Sequence, residues 1–292
     1  MEEENFDIHW LNERYPFDAE ARNKALEGKV LSFLKDIETL YLVDAGAGTG
    51  SNCLYFLEKL PQNQYWYLIE QNASLQNATI RRFSDFANYH NYKFLRKKDE
   101  LFISKPRKEI TIKIINDSVF RLPAFIDLPK IHLITANALF DLFTITQIDN
   151  FAQILFEHKI PIYTTLSYES MQFSPQDPFD SIFIEQYNNH MERTQPFGKA
   201  LGKRAGIYFA NIFSQNNWTA STQSSTWNIK PDDIKMHYYL LNFMENALEE
   251  LPLEANVQEN FQKWVMRKKN LIIARQQSLT IKHLDLFASP SY

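Results

Sequence analysis

Three of the seven glycines in this 292-residue chain, Gly46, Gly48 and Gly50, fall within five positions. Tyr41, Leu42 and Val43 precede them, with Asp44, as a short apolar run that reads as a buried strand. Cys53, Leu54, Phe56 and Leu57 follow at helical spacing. Strand, tight turn and helix form the first half of a nucleotide-binding βαβ unit. Glycine permits positive φ and lets a ligand approach the backbone, and the helix start beyond it presents free N–H groups. The dinucleotide fingerprint puts its third glycine where this chain has Ser51, and no Gly-Lys-Ser/Thr follows to make a P-loop. Residues 65–70 form a second apolar strand ending in Glu70, about 20 residues on, where a carboxylate accepts two hydrogen bonds from the vicinal diol of a ribose.

The rest of the chain alternates helical and β-rich stretches. Residues 15–22 start at a proline and turn helical with Asp18 as cap, and Leu26, Val30, Leu31, Leu34 and Ile37 continue a 3.6-period apolar face. Residues 73–89 read as a helix. Residues 92–96, 100–104 and 110–115 read as a hairpin leading into a third core strand that ends at Asp117, with Lys105, Arg107, Lys108 and Lys113 a solvated edge. A fourth strand runs through 131–142 into a helix, His132 being structural, and a fifth spans 159–168, tolerating Pro161 near its start. Residues 171–178 read as a polar loop, 179–193 as a helix, and a further helix ends near Asn216. This excursion lies over the carboxyl ends of the strands, where open α/β sheets bind ligands. Its polar candidates are Tyr168, Asp177, His190, Arg193 and Lys199; His190 and Tyr168 are the catalytic candidates. Residues 218–229 are β-rich, 232–250 and 254–277 helical, and 279–287 a last strand inserted antiparallel beside the fifth.

An acidic residue two positions before Gly-x-Gly-x-Gly resembles motif I of the class I S-adenosylmethionine-dependent methyltransferases. The resemblance is strongest over residues 41–168. More loosely, Pro-Phe-Asp-x-x-x-Arg before the first strand, Thr-Ala-x-Ala-Leu-x-Asp, Phe-Gly-x-Ala-Leu-Gly and the terminal strand are similar to an uncharacterised bacterial group of that family. The resemblance implies an α/β fold: a Rossmann-like, doubly wound, seven-stranded, mostly parallel sheet with an antiparallel last strand, helices on both faces and a helical insert (about 169–200) after strand 5. It implies an N-terminal helical cap over 1–40 and the methyltransferase domain over 41–292.

The implied cofactor, S-adenosyl-L-methionine, would be held by Asp44, Gly46, Ala47, Gly48, Gly50, Asn52, Glu70, Gln71, Asp117, Ser118, Thr135, Ala136 and Asn137. Within that set, Asp117 or Ser118 would face the adenine amino group, and Thr135, Ala136 and Asn137 the reacting methyl. Tyr15 and Phe17, with Arg22, would close over the site; Tyr15, Arg22, Tyr168 and Arg193 are the expected substrate contacts. The Asn/Asp-Pro-Pro-Tyr/Phe signature of amino-methylating DNA and protein methyltransferases is missing, which removes the most specific link to adenine or glutamine substrates; the resemblance implies an O, N or C nucleophile as acceptor, expected on a small molecule. An RNA or protein methyltransferase, a non-catalytic cofactor-binding protein and a nicotinamide-binding Rossmann protein stay open.

A net charge of −4 argues against a broad nucleic-acid surface. The single Cys53 leaves no intramolecular disulfide and no cysteine-rich zinc site, and no metal is expected. The acidic start, Met1 to Asn5, is unlike a signal peptide, and no apolar run approaches membrane-spanning length, so a cytoplasmic location is expected. A homodimer is compatible with all of this.

Overall fold

The computed structural model describes residues 8–195, 198–252 and 254–291; Met1 to Asn5 and the Phe197 of the Phe-Gly-x-Ala-Leu-Gly segment lie outside them. The chain opens with α1 (Ile8–Ala21), α2 (Lys24–Leu34), β1 (Thr39–Ala45), α3 (Ser51–Leu57), β2 (Asn63–Ile69) and α4 (Ala73–Tyr89). It continues through β3 (Lys93–Lys97), β4 (Glu100–Lys105), β5 (Lys108–Ile115), β6 (Leu133–Asn137), α5 (Ile145–His158) and β7 (Ile162–Ser174). Then come α6 (Asp180–Met191), the two-residue strands β8 (Thr194–Gln195) and β9 (Gly198–Lys199), α7 (Ala205–Gln215), β10 (Trp218–Ile229), α8 (Ile234–Glu249), α9 (Ala255–Ile273) and β11 (Ser278–Pro290).

Strand residues alternate between two apolar layers, as the two-residue period requires. In β1, Leu42 packs with α2, α3 and α4, while its neighbour Val43 packs with α5 and α7. The sheet order is β10-β11-β7-β6-β1-β2-β5-β4-β3. Strands β7, β6, β1, β2 and β5 run parallel, and β11 lies antiparallel to β7 and β10. This is the Rossmann-like, doubly wound arrangement expected, with a different strand count. The described residues form nine strands in the main sheet, because the β3–β4 hairpin pairs antiparallel onto β5 and extends the edge. Leu101 and Ile103 on β4 are buried in the core, which makes the hairpin part of the sheet. The outermost strand, β3, carries Lys93, Arg96 and Lys97, charges that discourage further pairing. Lys108, expected on a solvated edge, is buried and donates to the Leu57 carbonyl.

A third apolar cluster lies beyond the parallel core. Strands β7, β10 and β11 are 13, 12 and 13 residues long. Their extended halves contribute Met171, Phe173, Trp227, Ile229 and Ile281, against which α1, α6, α8 and α9 pack through Trp10, Phe183, Met244 and Trp264. Residues 171–174, expected in a loop, are thus strand, since Met171 and Phe173 have a face to bury. The cap therefore does not follow the boundaries read from sequence. It draws on α1, on α6 after the fifth parallel strand, and on α8 and α9 between β10 and β11. By contrast α2 belongs to the sheet, with Leu26, Val30 and Leu34 fully buried against it. Helix α1 runs through Pro16, so the proline is interior and Asp18 is not its cap; Asn23 caps α2 instead.

At the junction of core and cap the ladder between β7 and β11 slips twice. Leu166 takes φ +60° there, and Asp285, wholly buried, accepts from Leu166 N (2.9 Å), Asn23 N (3.0 Å) and Ser225 Oγ (2.6 Å). Among the described residues no helix is long and apolar enough to cross a membrane.

Candidate functional site

The glycine turn lies at the carboxyl end of β1. Gly46, Gly48 and Gly50 all take positive φ (+66°, +55° and +75°). Gly50 caps α3, and a Cβ there would lie 2.6 Å from the ring of Phe83. Gly48 differs: a Cβ would meet nothing closer than Leu11, at 3.9 Å, so its face is open to a ligand. The turn is held from both sides. Glu70 Oε2 accepts from Gly48 N and Oε1 from Asn72 N, both at 2.8 Å, while Thr79 Oγ1 donates to the Gly48 carbonyl at 3.2 Å.

Beneath the turn runs a chain of polar side chains. Asn52 Nδ2 donates to Asp44 Oδ1 at 2.6 Å, and Arg22 Nη2 donates to Asn52 Oδ1 at 2.7 Å. Arg22 also approaches Asn137 Oδ1 (3.5 Å), which accepts from Thr165 Oγ1 (2.7 Å). Asn137 Nδ2 donates to Asp18 Oδ2 (3.0 Å), and Arg14 holds Asp18 through Nε (3.1 Å) and Nη2 (3.2 Å). Asp44 is fully buried, and burial pushes its carboxyl up to about 6 against the bonds from Asn52 and Thr135 and the Arg22 charge. Arg22 is buried over the Tyr55 ring (4.2 Å), with Nε and Nη1 unpartnered.

Above this floor is a cleft of about 180 Å³. Of the expected cofactor contacts, Gly46, Ala47, Gly48, Asn52, Glu70, Gln71, Asp117 and Asn137 line it. Asp44, Gly50, Ser118, Thr135 and Ala136 do not. Asp44, Thr135 and Ala136 are buried under the floor, and Gly50 is turned to Phe83. Asp117 accepts from Ser118 N (2.7 Å) and pairs with Arg121 (3.2 Å). The cleft is smaller than the roughly 300–1,000 Å³ usual for ligand pockets, because Leu11, Arg14 and Asp18 of α1 lie across it.

The expected catalytic and substrate residues lie elsewhere. His190 Nε2 pairs with Glu250 Oε2 at 2.8 Å and Arg193 Nη1 lies 3.0 Å from its ring, so both tie α6 to the end of α8, away from the cleft. Tyr168 is buried with its hydroxyl on Asn188 Oδ1 (2.9 Å). Tyr15 borders a separate groove of about 720 Å³ between α1, α3 and α4, beside Arg82, Phe86 and Tyr89. Arg22 meets the cleft only through Asn52 and Asn137. Asp177 takes both Arg267 nitrogens (2.6 and 3.0 Å), and Lys199 pairs with Glu192 (3.5 Å). His132 is structural, its Nδ1 accepting the Tyr41 amide at 3.0 Å.

Sequence reasoning missed Leu11, Arg14, Asp18, Thr49 and Ser51 as cleft residues. The signal for the first three was the continuous helix from Ile8, hidden by Pro16. It also missed Asp141, in the short 3₁₀ turn Phe140–Leu142 between cleft-lining Leu139 and Leu142; its Oδ1 is buried without a partner, and burial lifts its carboxyl to about 6.

No family model matches the chain, and no curated protein matches its sequence. Solved structures overlap it loosely. The cyclopropane synthase MmaA2 from Mycobacterium tuberculosis is 11% identical, with a TM-score of 0.42 over 99% of this chain and 87% of that one. YjhP from E. coli is 10% identical, with a TM-score of 0.42 over 96% and 100%. Geranyl diphosphate C-methyltransferase from Streptomyces coelicolor A3(2) is 12% identical, with a TM-score of 0.39 over 94% and 84%.

Proposed function

We propose that the cleft binds S-adenosyl-L-methionine and that the protein transfers its methyl group to an O, N or C nucleophile of a small molecule. The observation that carries this is Glu70 at the end of β2, hydrogen-bonded to the amide of Gly48, whose open face lines the same cleft. A carboxylate in that place accepts from both hydroxyls of a ribose. The other cleft groups complement the remaining parts of such a ligand. Asp117, beyond β5, accepts from an exocyclic amino group. The Arg14–Asp18 pair across the cleft presents a cation and an anion to an amino-acid zwitterion. The cleft has no run of glycine amides spaced for a diphosphate.

When bound, the cofactor supplies an electrophilic methyl on a sulfonium, whose thioether leaving group needs no protonation. The protein's work is then to orient the reactants and exclude water. Asn137 sits between Arg22, Thr165 and Asp18 and fixes the cleft wall beside the end of β6. Asp44 acts from below as a positioning residue, holding Asn52 and the Cys53 amide at the start of α3. Leu11, Arg14 and Asp18 must shift with α1 to admit a ligand of this size.

Titration calorimetry with S-adenosylhomocysteine tests the reading. Micromolar binding to the wild type, weakened at least about tenfold in Glu70→Ala and in Gly48→Val, supports it. No binding to the wild type, with binding of NADH instead, would sink it.

A further inference from the structure

Helix α1 stands between two cavities. Leu11, Arg14 and Asp18 line the cofactor cleft, while Ile8, Asn12 and Tyr15, on an adjoining face of the helix, line the groove of about 720 Å³. That groove is within the roughly 300–1,000 Å³ usual for ligand pockets, and α3 and α4 supply its other walls.

Arg82 of α4 joins the two cavities. Its Nη1 donates to Ser51 Oγ, its Nη2 donates to Asn12 Oδ1, and its guanidinium lies 5.4 Å from the Tyr15 ring. Ser51 lines the cleft, and Asn12 follows Leu11, which lines it too. Both acceptors of Arg82 are neutral, and among the described residues no carboxylate pairs with it. Burial holds the guanidinium below its usual value. A cation taken partly out of water and left on neutral acceptors is a seat for an anion, since a charge-assisted bond is stronger than a neutral one. Two of its five N–H groups are engaged, so three are left to give. The Tyr15 phenol, kept protonated by burial, is a further donor on this wall.

Beyond the cation the groove is aromatic. Phe86 and Tyr89 follow Arg82 along α4 by about 6 and 10 Å, and Tyr55 lies across from them on α3. Tyr89 is 83% exposed, so it serves no core. Of the two carboxylates on the groove, Glu58 is tied to Tyr92 and Lys105. Asp85 is offset by Arg81, four residues earlier on the same helix face, which leaves the charge of Arg82 in excess.

We propose that this groove is a second ligand site, for a small aromatic molecule bearing a carboxylate or phosphate. The anion accepts from Arg82 and Tyr15, and the ring lies against Phe86 and Tyr89. Such a ligand bridges α1 to α4 and holds α1 where it lies, across the cleft. It therefore opposes entry of the cofactor, for which α1 must shift. Binding in the groove stands apart from the cofactor reading; the opposition rests on it.

Titration calorimetry with 1-naphthyl phosphate and 1-naphthoate tests the site. At least one is expected to bind the wild type with Kd below about 1 mM, and 1-naphthol and inorganic phosphate at least about tenfold more weakly. Arg82→Gln removes the preference over 1-naphthol. Tyr89→Ala, at a side chain outside the core, weakens probe binding about tenfold and keeps the test open should Arg82→Gln fail to fold. The saturating probe weakens S-adenosylhomocysteine binding about threefold or more, and S-adenosylhomocysteine weakens the probe by the same factor. No probe binding, 1-naphthol bound as tightly, or full affinity in Tyr89→Ala would overturn the site. A dimer that Tyr89→Ala separates, with no probe bound, would overturn it in favour of a second copy of the chain. An S-adenosylhomocysteine affinity that the probe leaves unchanged or raises would overturn the opposition. A wild type that does not bind S-adenosylhomocysteine would defeat the cofactor reading and the opposition with it, while the probes still decide the site.

Discussion

Leu166 gives its amide to the carboxylate of Asp285, 2.9 Å away and 119 residues later in the chain, and not to the strand ladder. The bond secures a bulge in which a leucine takes φ +60°, a conformation that costs about 1 kcal/mol or more without support. Asp285 also holds the N-cap residue of α2 and Ser225 of β10. Asp285→Asn puts an amide NH₂ where donors converge, and is expected to lower the unfolding free energy by about 2–4 kcal/mol. Urea unfolding measures this; a loss under about 1 kcal/mol would mean the bulge stands by itself.

Asp44 gives a pH signature. Its folded carboxyl is raised to about 6, against about 3.9 when unfolded. The native state therefore binds more protons between these values, and stability falls as pH rises through that window. Asp44→Asn removes the dependence. The stability difference, wild type minus variant, is expected to decline by roughly 2–3 kcal/mol from pH 4 to pH 6.5 and then level off. A flat difference would show that Asp44 stays ionised in the fold.

Lys268 is the buried cation of the cap. Its side chain has no exposure, its Nζ lies 2.7 Å from Asp180 Oδ1 and 4.1 Å over the Phe173 ring. Lys268→Ala strands a carboxylate that keeps the Trp264 indole N–H and the Asp177 amide (both 2.8 Å) but no cation at that distance. The expected loss is about 3–5 kcal/mol, much of it recovered in Lys268→Met combined with Asp180→Asn. Chemical denaturation of the three variants checks this.

His190→Gln, at a catalytic candidate of the sequence reading, should change little. The Glu250 side chain that pairs with His190 is 63% exposed. The pair is worth at most about 1 kcal/mol, and kcat should stay within about twofold of wild type. A loss of about 100-fold would return His190 to the chemistry.

The parallel core was legible because its residues obey local rules: glycines where φ is positive, apolar pairs alternating along strands, a carboxylate ending β2. Residues 218–229 and the 93–105 hairpin could be read for the same reason. The cap was not. Its helices α8 and α9 carry ordinary amphipathic patterns, and nothing in such a pattern says which surface it will cover. Pro16 reads as a boundary, yet α1 continues through it. Asp18 looks like a cap residue but lies under Arg14, because its partner Asn137 is 119 residues away. Asp141 carries no local mark; it sits in the 3₁₀ turn that follows β6, which the sequence reading ran into a helix.

Ile229 and Leu279 are directly paired across β10 and β11, so the excursion carrying α8 and α9 leaves and re-enters the sheet at adjacent points. A tight hairpin could join the same two residues without altering a strand. The parallel strands that carry the glycine turn and Glu70 are thereby separated in the sheet from changes in this excursion. Replacing, lengthening or shedding these helices over evolutionary time would leave the strand order of the sheet intact.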